Sequence, residues 1–250
     1  MRLVVVGSSG SVPGPDSPCS CYLVEDDGYR LLLDVGPGAF GALQAYAAPH
    51  EIDAVVLSHA HGDHWEDLKH LAYARTHRPL YPDPLPPVTV VGPPDLPEVV
   101  RQLPDVLAVQ ETTEGALRLG PFDLRLARVP HTDHSFAVRV GDALCYTGDS
   151  APCVALEELA AGCEVLLAEA SGFDDGREAV EDGAWQHLTA GDAGRLSALS
   201  GSRLLVLTHL RPWHDPAALL AEAAAHASCP VVVARTGLTV APSTASAGRG

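Results

Sequence analysis

The chain has 250 residues, 46% of them hydrophobic, and its 16 Lys and Arg face 32 Asp and Glu for a formal net charge of −16. That length and apolar content can bury a sizeable core without covalent staples, while the acidic balance argues against a protein that grips nucleic acid through its phosphates, which takes Lys and Arg to release counterions. No window approaches the ~20 apolar residues of a membrane span, and Met1–Gly7 carries too short an apolar run for a signal peptide.

Short β-branched runs alternate with Ala- and Leu-rich stretches along the chain. Strands are expected at Leu3–Val6, Cys21–Val24 and Arg30–Leu33, a helix at Gly38–Ala47, and a strand at Ala54–Leu57. A helix at Asp67–Ala74, a strand at Val88–Val91 and a helix at Leu96–Leu103 follow. Strands at Leu124–Val129, Ala137–Val140 and Leu144–Tyr146 lead to a helix at Val154–Ala161 and a strand at Val165–Ala168. The chain closes with helix Thr189–Leu199, strand Leu204–Leu207, helix Pro216–Ala227 and strand Val231–Ala234. Pro79 to Pro97 holds eight prolines around one strand and reads as a surface excursion beside the main sheets. The pattern predicts an α/β (α+β) sandwich of two mixed sheets with helices outside. Residues 1–241 form one domain on this reading, and Pro242 to Gly250 a flexible tail.

The six cysteines (Cys19, Cys21, Cys145, Cys153, Cys163, Cys229) read as reduced thiols of a cytoplasmic protein. Cys19-Ser20-Cys21 has the look of half a metal site, but no second pair at matching spacing supports it. A stronger signal is His59-Ala60-His61-Gly62-Asp63-His64, directly after an apolar strand. Imidazole and carboxylate are the ligands that borderline divalent metals prefer, and four of them fall within six residues. Other ligand types recur where predicted strands end: Asp34, His131, Asp149 and His209. Carboxyl ends of strands are where open α/β sheets form binding crevices. Glu169 also follows an apolar run, Glu164–Ala168.

The order Asp34, His-x-His-x-Asp-His, His131, Asp149, His209 resembles the metallo-β-lactamase superfamily over nearly the whole chain. That resemblance implies an αββα sandwich with two divalent metals, Zn²⁺ by the donor types with Mn²⁺ or Fe²⁺ also suited. It implies that His59, His61 and His131 hold one metal and Asp63, His64 and His209 the other, with Asp149 bridging. It gives Asp34 the task of orienting a ligand. His131 and His134 compete for the third-histidine position, and the interval to Phe136-Ala137-Val138-Arg139 favours His131, leaving His134 as a substrate contact.

Further segments resemble the RNase Z-like phosphodiesterase branch: the opening loop Gly7–Gly14, Tyr146–Ser150, Ala168–Ser171 and His187–Ala190. The likeness implies catalytic roles for Asp63, Glu169 and His187, the last two protonating the leaving oxygen. Only 17 residues separate His131 from Asp149, too few for the protruding arm of the transfer-RNA-processing members. The stretch Gly10 to Cys21 and the segment Thr208–Trp213 look most like actinobacterial cyclic-nucleotide phosphodiesterases of this branch. The expectation is a small-molecule phosphodiester substrate, with nucleic acid unfavoured and a homodimer by analogy. Competing readings are a metal-dependent lactonase or thioesterase, an RNase Z-like ribonuclease without the arm, and a metal-binding module without catalysis.

Overall fold

The computed structural model describes residues 1–77, 83–102, 105–176 and 186–242. The expected tail beyond residue 242 lies outside them. Among the described residues the strands are β1 (Arg2–Gly7), β2 (Cys21–Asp26), β3 (Tyr29–Leu33), β4 (Ala54–Val56), β5 (Val88–Gly92), β6 (Leu107–Glu111) and β7 (Gly115–Leu119). They continue as β8 (Phe122–Val129), β9 (Ser135–Val140), β10 (Leu144–Tyr146), β11 (Val165–Glu169), β12 (Leu204–Thr208), β13 (Val231–Val233) and β14 (Thr239–Val240). The helices are α1 (Ala39–Leu43), α2 (Gly62–Trp65), α3 (Leu68–Thr76), α4 (Glu98–Arg101), α5 (Val154–Ala160), α6 (Ala190–Ser200) and α7 (Pro216–His226).

The strands form two sheets, β14-β1-β2-β3-β4-β5-β6 and β13-β12-β11-β10-β9-β8-β7. Each sheet is half antiparallel and half parallel. In the first, β1–β2–β3 run antiparallel and β3–β4–β5–β6 parallel. In the second, β7–β8–β9–β10 alternate and β10–β11–β12–β13 run parallel. Two reversals separate β8 from β10, so β8 points the same way as the parallel strands. This common direction brings the residues after β8, β10, β11 and β12 to one edge of the sheet.

Both faces of the inner parallel strands β4, β11 and β12 are buried, which is why they read as continuous Val and Leu runs rather than alternating ones. One face of each sheet packs into a shared inner layer containing Leu3, Tyr22, Leu33, Tyr146, Leu167 and Val206. The outer face of the first sheet packs with Leu43 of α1 and Leu68 and Leu71 of α3. That of the second packs with Leu156 of α5 and Leu196 of α6, and α7 lies against α6. The αββα sandwich expected from the sequence is the fold.

Two expectations change in detail. The proline-rich excursion is not wholly beside the sheets, because β5 pairs with β4 on one side and β6 on the other. Strands β6 and β7 went unpredicted because they are edge strands with exposed residues, and their apolar alternation is weak. All six cysteines are free. No helix among the described residues is long and apolar enough to cross a membrane.

Candidate metal centre

The first sheet supplies its ligand types from one continuous segment. After β4 the chain bends at Ser58 and Ala60, is extended at His61 (φ −68°, ψ 142°) and then enters the single turn α2 at Gly62. This switch from extended to helical backbone sends neighbouring side chains to different places. His59 Nε2 and His61 Nδ1 lie 3.1 Å apart, and His131 Nε2, arriving from beyond β8, lies 3.0 Å from the same His61 atom. Asp63 and His64, on the helical turn, face His209 instead: Asp63 Oδ2 is 3.2 Å from His209 Nε2 and 3.5 Å from His64 Nε2.

Asp149 stands between the two groups. Its Oδ2 lies 3.9 Å from His59, 3.6 Å from His131 and 3.3 Å from His209, and its Oδ1 lies 3.4 Å from His64 Nε2. Gly148, with φ +57°, makes the turn that delivers this carboxylate; a Cβ there would fall 2.8 Å from the Phe136 carbonyl oxygen.

The hydrogen-bond network sets the tautomer of four histidines. His64 Nδ1 donates to Asp34 Oδ2 at 2.8 Å. Ser58 Oγ gives its only proton to Asp34 at 2.8 Å, so at its 3.0 Å contact with His59 it accepts from Nδ1. Ser171 Oγ gives its proton to Glu169 at 2.5 Å and accepts from His209 Nδ1 at 2.9 Å. His131 Nδ1 donates to the Gln186 carbonyl at 3.0 Å. In each ring the other nitrogen, Nε2, is thereby aimed inward with a lone pair. Converging lone pairs on buried nitrogens repel one another and call for a cation.

Electrostatics make the same demand. Burial raises the Asp149 carboxyl, but His209, His64 and His59 outweigh it and hold the group well below the usual carboxylate range. Asp63 behaves likewise: burial works against ionisation, and the adjacent His209 and His64 rings overcome it. Burial lowers His59 and His131, and so favours the neutral rings that ligate metals. Burial would lower His64 too, yet Asp149 and Asp34 pull it well above its ordinary value. The floor of the site thus draws positive charge to His64 Nε2. That atom and Asp149 Oδ1 are buried without a hydrogen-bond partner, a costly state unless an ion satisfies both. The donor set therefore fits divalent metal: His59, His61 and His131 form one group whose ligand atoms lie within 4.8 Å of each other, and Asp63, His64 and His209 form another. Asp149 joins His59 and His64 in a third group, and joins Glu169, His187 and His209 in a fourth.

Beside the cluster, Glu169 ends β11 with no exposure. Its Oε1 accepts the Ser150 amide at 2.6 Å, and its Oε2 accepts from His187 Nδ1 at 2.9 Å. Burial opposes charge on His187, but the Glu169 carboxylate raises it to about 9. Two residues beyond His187, α6 starts with a capping box in which Thr189 Oγ1 accepts the Asp192 amide and Asp192 accepts the Thr189 amide.

Every residue singled out in the sequence for the centre is brought to this edge, with Asp34 directly behind His64. His131 rather than His134 joins the cluster: His134 is half-buried and belongs to none of the four groups. Cys19 and Cys21 also belong to none, and burial pushes the Cys19 thiol up to about 12. Sequence reasoning missed Ser58, Tyr146 and Ser171, whose hydroxyls orient Asp34, His59 and His209. It also missed the Ser11 amide, which donates to Asp63 Oδ2 at 2.8 Å. The available signal was adjacency: Ser58 precedes His59, and Ser171 follows Glu169 by two.

Asp34 (φ +57°) and His209 (φ +50°) share a further trait, a left-handed backbone uncommon outside glycine. Each sits where a strand ends, and such strain, of order 1–3 kcal/mol per residue, persists only where surroundings enforce it.

Comparison with known proteins agrees with this geometry. Residues 29–210 match the family model described as beta-lactamase superfamily domain. An uncharacterised protein of Mycobacterium leprae is 34% identical over 256 residues, covering 96% of this chain and 88% of its own. A ribonuclease Z of Mycolicibacterium gilvum is 27% identical, with 86% of each chain covered. The crystal structure of the metallo-β-lactamase fold protein YhfI from Bacillus subtilis superposes with a TM-score of 0.87 at 25% identity, over 96% of this chain and 98% of that one. The chain belongs to the beta-lactamase superfamily, as a metallo-hydrolase of the metallo-β-lactamase fold with RNase Z-like relatives.

Proposed function

We propose that this hydrolase holds two divalent metal ions, Zn²⁺ by donor type, and cleaves a small phosphodiester, a cyclic 3′,5′-nucleotide being the favoured substrate. On this reading His59, His61 and His131 hold one ion, Asp63, His64 and His209 the other, and Asp149 lies between them. Ions bound by such donors supply Lewis acidity toward phosphoryl oxygens and an acidified water. The chain's own residues do the rest. Asp63, fixed by the Ser11 amide, takes the proton released by the attacking water. Glu169 positions His187, and His187 gives its proton to the departing 3′-oxygen, leaving a 5′-monophosphate.

The observation that carries this reading is the Glu169–His187 hydrogen bond at the rim of the cluster. A sugar alkoxide is a poor leaving group and needs a proton. A thioester releases a thiolate that leaves without one, so the pair has no use there. The short interval between His131 and Asp149 favours a small substrate, since after the turn at residues 132–134 it is filled by β9, a tight turn and β10. The similarity to ribonuclease Z supports phosphodiester chemistry without extending to its substrate.

The test is an assay of purified protein loaded with Zn²⁺ or Mn²⁺ against cyclic AMP, cyclic GMP and bis(p-nitrophenyl) phosphate. Turnover of a lactone or thioester with none of these three would sink the reading. Cleavage of an unstructured RNA oligonucleotide with steep salt dependence would point to a ribonuclease instead.

A further inference from the structure

Two loops that carry residues of the metal centre also carry apolar side chains that neither the core nor the metal chemistry explains. Six large hydrophobic residues stand exposed among those described, and two of them lie on these loops: Val12 at 48% and Trp213 at 62%. Val12 follows Ser11, whose amide reaches Asp63. Trp213 lies four residues beyond His209, on the loop that joins β12 to α7. The two loops meet where Ser9 bridges to Leu210 and Gly14 faces the Pro212 ring.

The loop after His209 is built as an aromatic and cationic platform. The Arg211 guanidinium lies 5.9 Å from the centre of the Trp213 ring. His214 packs against Trp213 at 6.2 Å, and edge-on against Phe173 at 5.3 Å and 85°. Phe173 in turn follows Ser171, the hydroxyl between Glu169 and His209. Arg211 is also close enough to His187 for its charge to oppose protonation of that ring. The platform therefore adjoins the proton-donating side of the centre, where a leaving sugar oxygen would depart. An exposed indole backed by packed rings, with a guanidinium beside it, is the arrangement that stacks planar bases. In a chain of net charge −16 such a site favours a mononucleotide over a polyanion.

We infer that the loop of residues 210–214 is a nucleobase subsite in which the base of the substrate stacks on Trp213 beside Arg211. The inference rests on the phosphodiesterase reading for its substrate, but its test is separable. Trp213→Ala and Trp213→Phe variants of the metal-loaded protein would be titrated with 5′-AMP while following intrinsic tryptophan fluorescence, and assayed with cyclic AMP. The expected result is quenching in the parent that is largely lost in Trp213→Ala. With it should come a roughly 10- to 100-fold rise in the KM for cyclic AMP, against a much smaller change in kcat, as base stacking on an aromatic implies. Trp213→Phe, which keeps an aromatic face, should recover most of the binding. Unaltered 5′-AMP titration and KM in Trp213→Ala would overturn the subsite while leaving the phosphodiesterase reading intact. Trp213-dependent quenching without cleavage of any phosphodiester would do the reverse.

Discussion

Two buried carboxylates, one from each sheet, stand behind the metal cluster and do different work. Asp34 follows β3 and Glu169 ends β11, and neither has any exposure. Asp34 spends itself entirely on buried donors: the Ser58 amide at 2.7 Å, the Ser58 hydroxyl, the Tyr146 hydroxyl at 2.7 Å and His64 Nδ1. Glu169 Oε2 accepts from Ser171, which accepts from a His209 Nδ1 lying 3.7 Å from that same oxygen, and the oxygen is shared with His187, a side chain 18% exposed. The first arrangement holds a ligand still. The second couples a ligand to a group that can meet substrate. On the proposed mechanism the first sheet fixes ligands and takes the water's proton through Asp63, and the second sheet supplies the proton of the leaving group.

The sharpest way to break this contrast is His187→Ala. Removing a general acid costs about 10²–10⁴-fold in rate, so kcat on cyclic AMP should fall by that order while bis(p-nitrophenyl) phosphate, with its good leaving group, loses far less. Equal losses on both substrates would deny the second sheet its proton role. Asp34→Ala should act on the opposite side, lowering stability by about 3–5 kcal/mol, because a buried partner of His64, Ser58 and Tyr146 disappears. Urea unfolding of the metal-free variant measures this; Glu169→Gln, compared in the same titration, should lose less stability and more activity. A reversal of that order would erase the distinction.

Metal removal should weaken both sides together. A thermal scan with and without a chelator should show the loaded protein more stable, by about 4 kcal/mol where free metal exceeds Kd roughly 1,000-fold. An unshifted transition would mean that the lone pairs meeting at Asp149 hold no ion. The smallest effect is expected from Ser171→Ala, which leaves His209 Nδ1 without its acceptor. Metal affinity, read by competition with a chromophoric chelator, should fall roughly 10-fold, with a stability loss of about 1 kcal/mol. No change in affinity would show that Ser171 does not orient His209.

Much of the centre was legible in the sequence because its ligand types are rare and fall where apolar runs end. His59, His61, Asp63 and His64 announced themselves by spacing, and Asp34, His131, Asp149, Glu169 and His209 by position after a strand. The orienting hydroxyls were not legible, since Ser and Tyr near strand ends are common and their partners lie far off in the chain. Tyr146 reaches Asp34 across 112 residues, and Tyr22, whose ring lies 4.9 Å from that of Tyr146, bonds Thr208 Oγ1 at 2.7 Å across 186. Edge strands β6 and β7 escaped for a related reason: exposure removes the apolar pattern that marks a strand.

The sequence by itself determined the types of ligand, their order and the alternation of strand and helix, because those follow from local chemistry and from which residues must leave water. Tertiary structure alone decided which strands lie side by side, and hence that β8, β10, β11 and β12 open onto one edge. It also decided the left-handed turns at Asp34 and His209 and the switch into α2 that parts His59 and His61 from Asp63 and His64. A hydrophobic period reports that a residue faces a core; it carries no record of the neighbour it will find there.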